Sequence, residues 1–358
     1  MSNSYINPRS KLLYHVDKLD QIRRTGNTTA PVNVEIDLSN RCSHGCSWCH
    51  FAYTHTRGPL AGKVDKPANH VDGGDLMNLD LARSILLQLA EAGVKSVTLT
   101  GGGEPTLHPH FDAIVECAKI HGLQQGLYTH GGHIDAERAA LLKRLLTFVY
   151  VSLDECTAKK FKASKGVDRF DAVLTGIRNL VAATGAATVG VGFLLHVGNV
   201  DDVDSMVSLG RGLGVDYVQF RPIVAYDQAA PGQLVEDTLW VSRAINNLRK
   251  YAGDAFVQAD TQRFEMYQNW TGHGYKTCNW AALQTVITPN GRVWRCTNKR
   301  EHKDALLGNL AVEPFATVWS RNKNTCDVND TCRILCRGHI ANLTLDAIMT
   351  EPAHANFI

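Results

Sequence analysis

Three cysteines stand within eight residues, Cys42, Cys46 and Cys49, spaced Cys-x3-Cys-x2-Cys. Five more, Cys278, Cys296, Cys326, Cys332 and Cys336, lie near the C-terminus, and only Cys117 and Cys156 stand between the two groups. In a reducing compartment, thiols clustered this way read as metal ligands or catalytic groups rather than disulfides. The triplet fits two chemistries. With His44 or His50 as a fourth ligand it would close a structural zinc site. Without one it would hold a cubane iron–sulfur cluster by three irons and leave the last iron open to bind something else.

Other groups could join this chemistry. The segment Thr100-Gly101-Gly102-Gly103-Glu104-Pro105 offers glycines that let the backbone approach a ligand closely, followed by a carboxylate that accepts from an ammonium. The plainer reading is a glycine turn between a strand and a helix. Arg221, at the end of an apolar run, could grip a carboxylate bidentately. Cys117 falls in a helical pattern and reads as a small core residue.

These residues need a scaffold. Alternating or β-rich runs at 32–38, 96–100, 123–129, 148–153, 188–196 and 217–221 read as strands. Helical spacing covers 79–92, 111–121, 135–146, 170–183, 203–213 and 235–251. Six strand–helix units in strict alternation predict an α/β fold, a partial (β/α)6 TIM-like barrel with a parallel sheet inside and helices outside. Chemistry in such sheets sits beyond the strand C-termini, where the cysteine triplet falls. From 258 onward the alternation stops. Residues 283–296 read as a hairpin turning at Pro289-Asn290-Gly291, and 313–319 as a short helix. The expected domains are a polar, surface-lying N-terminal extension at 1–30, the barrel at 31–255, a small cysteine-bearing domain at 256–345, and a tail at 346–358. The long, weakly periodic stretch 50–78 reads as a functional loop over the barrel mouth.

The chain has 358 residues, 44% of them hydrophobic, with Lys+Arg 37 against Asp+Glu 35 and a net charge of +2. That balance gives no support for a polyanion-binding surface. No apolar run reaches the eighteen residues a membrane span needs, and the polar start lacks a secretory h-region, so the expected compartment is the cytoplasm.

Cys42, Cys46 and Cys49 directly after a first strand, followed one unit later by Gly102-Gly103-Glu104-Pro105, resemble the radical SAM superfamily. The resemblance implies a 4Fe–4S cluster whose open iron chelates S-adenosylmethionine (SAM). One-electron reduction then gives methionine and a 5′-deoxyadenosyl radical. It further implies that Gly102, Gly103 and Glu104 hold the SAM amino group, that Trp48 lies near the adenosine, and that Ser152 contacts the carboxylate or ribose. Arg221 at the barrel top would bind the SAM or substrate carboxylate. Cys156, after strand four, would either donate a hydrogen atom to a substrate radical, as in some epimerases of the superfamily, or be an inert thiol. His130 and His133 would contact substrate or serve the structure. The C-terminal cysteines resemble the SPASM/twitch extension. A full set has seven cysteines and two clusters. Five are present here, with Lys323 where a further cysteine would stand, which implies one auxiliary 4Fe–4S cluster. Cys278, Cys296, Cys332 and Cys336 are its expected ligands, with Cys326 able to exchange for Cys332; a structural zinc is the alternative. An electron donor such as flavodoxin or ferredoxin is an expected partner.

The initiating hydrogen abstraction follows from the resemblance; the outcome does not. Residues 1–30 are too short for a peptide-recognition domain, which counts against a peptide substrate. A weaker resemblance, to bacteriophage radical SAM isomerases of thymidine hypermodification, ranks first: rearrangement of an aminoacyl-modified thymidine in DNA. Residues 292–303, with six basic residues and Trp294, would then supply phosphate contacts. The alternatives are a dehydrogenase or epimerase of an amino sugar, cyclitol or nucleoside, a peptide-modifying enzyme, and a non-catalytic zinc-binding module.

Overall fold

The computed structural model describes Tyr5 and residues 7–223, 239–269, 272–323, 328, 332, 336–350 and 353. Cys326 lies outside the described residues, as does the start of the helix expected from 235. Six strands appear where the pattern placed them: β1 (Asn33–Asp37), β2 (Ser96–Thr100), β3 (Gln124–Thr129), β4 (Phe148–Ser152), β5 (Thr188–Leu195) and β6 (Tyr217–Pro222). The helices between them include α3 (Leu79–Glu91), α4 (Phe111–Ile120), α5 (Ala136–Leu145), α7 (Phe170–Ala182) and α8 (Val203–Leu213). All neighbouring strands from β1 to β6 pair in parallel.

Side chains along each strand sort with period two. Val34 and Ile36, Val149 and Val151, and Val218 and Phe220 are buried in one cluster with helix residues such as Ile85, Ile114 and Ile177. The alternate positions, Glu35 and Asp37, Tyr150 and Ser152, and Gln219 and Arg221, therefore point to the inner face of the sheet, which is polar. Burial of the apolar face against the helices sets the register, since a one-residue slip would exchange the two faces.

The sheet is larger than six strands. A short β7 (Val257–Ala259) pairs in parallel with β6, beyond the expected barrel limit of 255. On the other edge, β8 (Gln284–Ile287) pairs in parallel with β1 and turns through Gly291, φ 81°, into antiparallel β9 (Arg292–Trp294) and β10 (Leu306–Asn309). The hairpin is where the sequence put it, but it extends the barrel sheet.

Residues 1–30 depart from expectation. Helices α1 (Pro8–Leu12) and α2 (Val16–Thr25) form there, and Leu12, Leu19 and Ile22 pack with Ala282, Leu283 and Leu345. Three apolar residues in a polar stretch are enough to bury one seam. Leu345 belongs to a C-terminal helix, His339–Met349, that crosses the expected tail boundary. Helix α6 (Ala158–Lys165), hidden in the sequence by its four lysines, is also new.

Candidate functional site

Beyond β1 the chain forms the cysteine loop. Cys49 N donates to Cys46 O at 3.1 Å, closing a turn. The end of α6 clamps that turn: Gly45 N donates to Lys165 O at 2.8 Å and Ser47 N to Ser164 O at 3.0 Å. From the other side Cys42 N donates to Arg57 O at 3.1 Å, within the long stretch after the triplet. Burial pushes all three thiols upward, Cys49 to about 12, and the thiols influence one another's ionisation. Such thiols stay protonated until a cationic centre draws the protons off. Among the described residues no three His, Cys, Asp or Glu side chains converge closely enough to share one metal ion. A cubane takes each thiolate on a different iron, so the triplet fits a cluster better than a zinc ion. His44, one of the two histidines that could have closed a zinc site, is buried with its ring stacked on His130 at 3.9 Å, and burial holds its pKa down to about 2.

The glycine segment packs on this loop. A Cβ on Gly102 would lie 2.1 Å from Asn40 Oδ1 and 2.2 Å from Thr54 Oγ1; one on Gly103 would lie 2.2 Å from the Arg41 carbonyl oxygen. Gly103 N donates to Ser39 O and Glu104 N to Arg41 O, at 3.0 and 2.7 Å. The close approach that requires glycine is therefore, first, that of the cysteine loop. Glu104 is buried. Its Oε1 accepts from Thr106 N, Thr106 Oγ1 and Thr129 Oγ1 at 3.1, 2.6 and 2.7 Å, and its Oε2 from His130 N at 2.8 Å. Among the described residues Oε2 has this one hydrogen-bond donor, with His130 Nε2 farther off at 3.6 Å, so it keeps a lone pair for an ammonium. Ser43 Oγ bridges His130 Nε2 and His133 Nε2 at 3.0 and 3.2 Å, so both expected histidines sit against the triplet loop.

Beyond β4, half-buried Ser152 is followed by Asp154 at φ 64°, a left-handed conformation Asp tolerates. Asp154 pairs with Lys165, whose ammonium also influences Cys46 and lies 5.5 Å over the Trp48 ring. Burial opposes the Lys165 charge, but Asp154 and Cys46 outweigh it and hold the ammonium above its ordinary range. Trp48 also packs on His196, ring centroids 5.0 Å apart. Sequence reasoning missed Lys165; its signal would have been the αL-tolerant Asp154 and a lysine at a helix end before Gly166. Cys156 is half-buried with Asp202, Lys160 and Glu155 as its charged neighbours, and burial, with Asp202, pushes its thiol upward. Arg221 faces inward over the Tyr150 ring at 4.9 Å.

Cys278, Cys296 and Cys336 form a second group: burial, with Cys296 and Cys336, pushes Cys278 to about 12, and burial, with Cys336, pushes Cys296 to about 11. Their sulfurs receive N–H donors: Asn342 Nδ2 to Cys278 at 3.3 Å, and Asn298 Nδ2 and Gly338 N to Cys336 at 3.5 and 3.4 Å. Sulfur-directed donors of this kind suit a cluster's thiolates. Cys332 lies near enough to influence Tyr275, together with Cys278 and Cys336. Between the two cysteine groups stands Arg300. It donates to both Asp37 oxygens at 2.9 and 2.8 Å, to Glu35 at 2.9 Å and to the Thr297 carbonyl at 3.1 Å, and covers the Phe51 ring at 3.8 Å. Glu35 also pairs with Arg337.

These contacts correct the expectation of a phosphate-binding strip at 292–303. Trp294 is 0% exposed and donates to Thr288 Oγ1, so it cannot stack on a base. Arg300 is spent on β1, Arg292 donates to the Asp72 carbonyl, and Lys299 pairs with Asp304.

A family model of the radical SAM superfamily matches residues 36–210, and a model of the SPASM iron–sulfur cluster-binding domain matches 278–337. The chain belongs to the radical SAM superfamily. As a radical SAM enzyme with a SPASM domain it uses a 4Fe–4S cluster, SAM and auxiliary iron–sulfur chemistry. It is 27% identical to the PqqA peptide cyclase of Streptomyces rochei over 351 residues, 90% of this chain and 89% of that protein. It is 25% identical to the mycofactocin maturase MftC of Mycobacterium tuberculosis, over 86% of this chain and 78% of the relative. A probable GTP 3′,8-cyclase of Metallosphaera sedula is 28% identical over 53% of this chain and 56% of its own length. Among solved structures, Streptococcus suis SuiB bound to S-adenosylmethionine shares the fold, with a TM-score of 0.64 at 16% identity over 88% of this chain and 72% of that one. Among the described residues no helix is long and apolar enough to cross a membrane.

Proposed function

We propose that this radical SAM enzyme modifies a peptide, with Cys42, Cys46 and Cys49 holding the SAM-binding cluster and Cys278, Cys296, Cys332 and Cys336 the auxiliary one. The reach of the similarity carries this reading. A relative named a peptide cyclase and one named a maturase align over 90% and 86% of the chain, whereas the relative named for a nucleotide aligns over 53%. The short N-terminal region does not argue against it, since 89% of the PqqA peptide cyclase is matched. The groups that a DNA substrate would engage, Trp294 and Arg300, are committed inside the fold.

Cluster and SAM together supply a 5′-deoxyadenosyl radical. The chain's own part is to orient one C–H bond and exclude water. The half-buried cysteine loop, the Lys165–Asp154 pair beneath it and Trp48 packed on His196 form the fixed end of that arrangement. The polar inner face supplies the rest.

The test is anaerobic reconstitution, then incubation with SAM, dithionite and short peptides encoded beside the gene, read by mass spectrometry. The expected result is a peptide of altered mass together with 5′-deoxyadenosine, both lost in Cys46→Ala. Unchanged peptides alongside altered deoxynucleosides would defeat the reading.

A further inference from the structure

Among the described residues, Arg221, Arg300 and Arg337 meet the inner face, and they are not equivalent. Arg300 is neutralised by Asp37 and Glu35, and Arg337 by Glu35. Lys165, at the cysteine-loop end, is neutralised by Asp154. Arg221 makes no ion pair among the described residues, its Nε is shielded from solvent without a partner, and its side-chain neighbour is the uncharged Tyr150. Its contact is the Tyr150 ring at 4.9 Å. The fold makes room for this arrangement: a Cβ on Gly192 would lie 1.9 Å from the Tyr150 hydroxyl, so the glycine lets the tyrosine lie across β5 under the guanidinium. Arg221 pairs in register with Leu194, whose N–H donates to Asp154 Oδ1 at 2.9 Å, and Asp154 in turn supports Lys165 beside Cys46. The unpaired arginine thus stands one strand away from the cysteine-loop support.

Arg221 is partly buried, and the described carboxylate that acts on it, Asp154, is already paired with Lys165, so a ligand carboxylate that matches the guanidinium fork would bring the charge partner it lacks. We propose that Arg221, held on the Tyr150 ring, is the anchor for a carboxylate of the substrate, either an acidic side chain or a C-terminus. The assignment deepens the peptide reading and rests on it for the word peptide; the carboxylate preference stands on Arg221 alone.

The experiment uses reconstituted holoprotein and 13C-labelled glutarate, with glutaramide as the uncharged control, observed by NMR line broadening. Glutarate is expected to bind and glutaramide not. Binding should weaken about tenfold or more in Arg221→Gln. Arg221→Lys should recover part of it, because a point charge replaces the fork. Equal glutarate binding in Arg221→Gln would overturn the proposal. So would loss, in that variant, of the SAM-induced change in the cluster's EPR spectrum, which would move Arg221 to the SAM carboxylate. If glutarate binding depends on Arg221 but no peptide is modified, the anchor stands and the peptide reading falls.

Discussion

Lys165 and Asp154 form an ion pair beneath Cys46, with side chains only 3% and 2% exposed. Removing one partner strands the other charge in the interior. Lys165→Met is expected to destabilise the protein by about 3–5 kcal/mol. The double variant with Asp154→Asn should recover most of that, since Asn tolerates the same backbone conformation and brings no charge. Chemical denaturation of the single and double variants checks this; equal losses in both would refute the coupling.

Gly103→Ala places a methyl against the Arg41 backbone, while Gly102→Ala meets the side chains of Asn40 and Thr54. Backbone yields less readily than side chains. Gly103→Ala should therefore lose most of the iron bound at the triplet while keeping its far-ultraviolet circular dichroism, and Gly102→Ala should lose less. Full iron loading of Gly103→Ala would contradict the packing argument.

Asn298 donates to Cys336. A hydrogen bond to a ligating sulfur favours the reduced, more negative cluster, so its loss lowers the potential. Asn298→Ala is expected to shift the auxiliary-cluster midpoint downward by something on the order of tens of millivolts. Potentiometric EPR measures it; an unmoved or raised midpoint would place Cys336 outside the ligand set.

Glu301 is buried at φ 62°, accepts from Asn40 Nδ2 at 3.0 Å, and is pushed by burial from 4.5 to about 8. An acid with a raised folded pKa holds its proton more tightly in the fold. Its favourable contribution is complete below about pH 4.5 and is lost as pH rises through about 8, at up to roughly 1.4 kcal/mol per pH unit. Glu301→Gln should flatten the fall in thermal stability over that window. Parallel stability curves for the two proteins would rule the titration out.

The barrel was legible because its strands obey two constraints at once: apolar residues of period two for the helix-facing side, and intervening helices of period 3.6. The cysteine groups were legible because ligand spacing is local. What escaped was long-range. Glu35 gives no sign that its partner is Arg300, 265 positions on, and the polar inner positions of β1, β4 and β6 looked like ordinary strand alternation. Helix α6 escaped because its buried side rests on Phe161 and Ser164 among lysines, and β7 because three residues carry no period.

The pairing of β8 with β1 has a consequence for anyone dividing this chain. A fragment ending near residue 255 would strip β7 from one flank and β8, β9 and β10 from the other, and leave β1 with a bare row of amides and carbonyls, the template for sticking to other copies. The two halves should melt in a single cooperative transition, and a truncated barrel should precipitate rather than work alone.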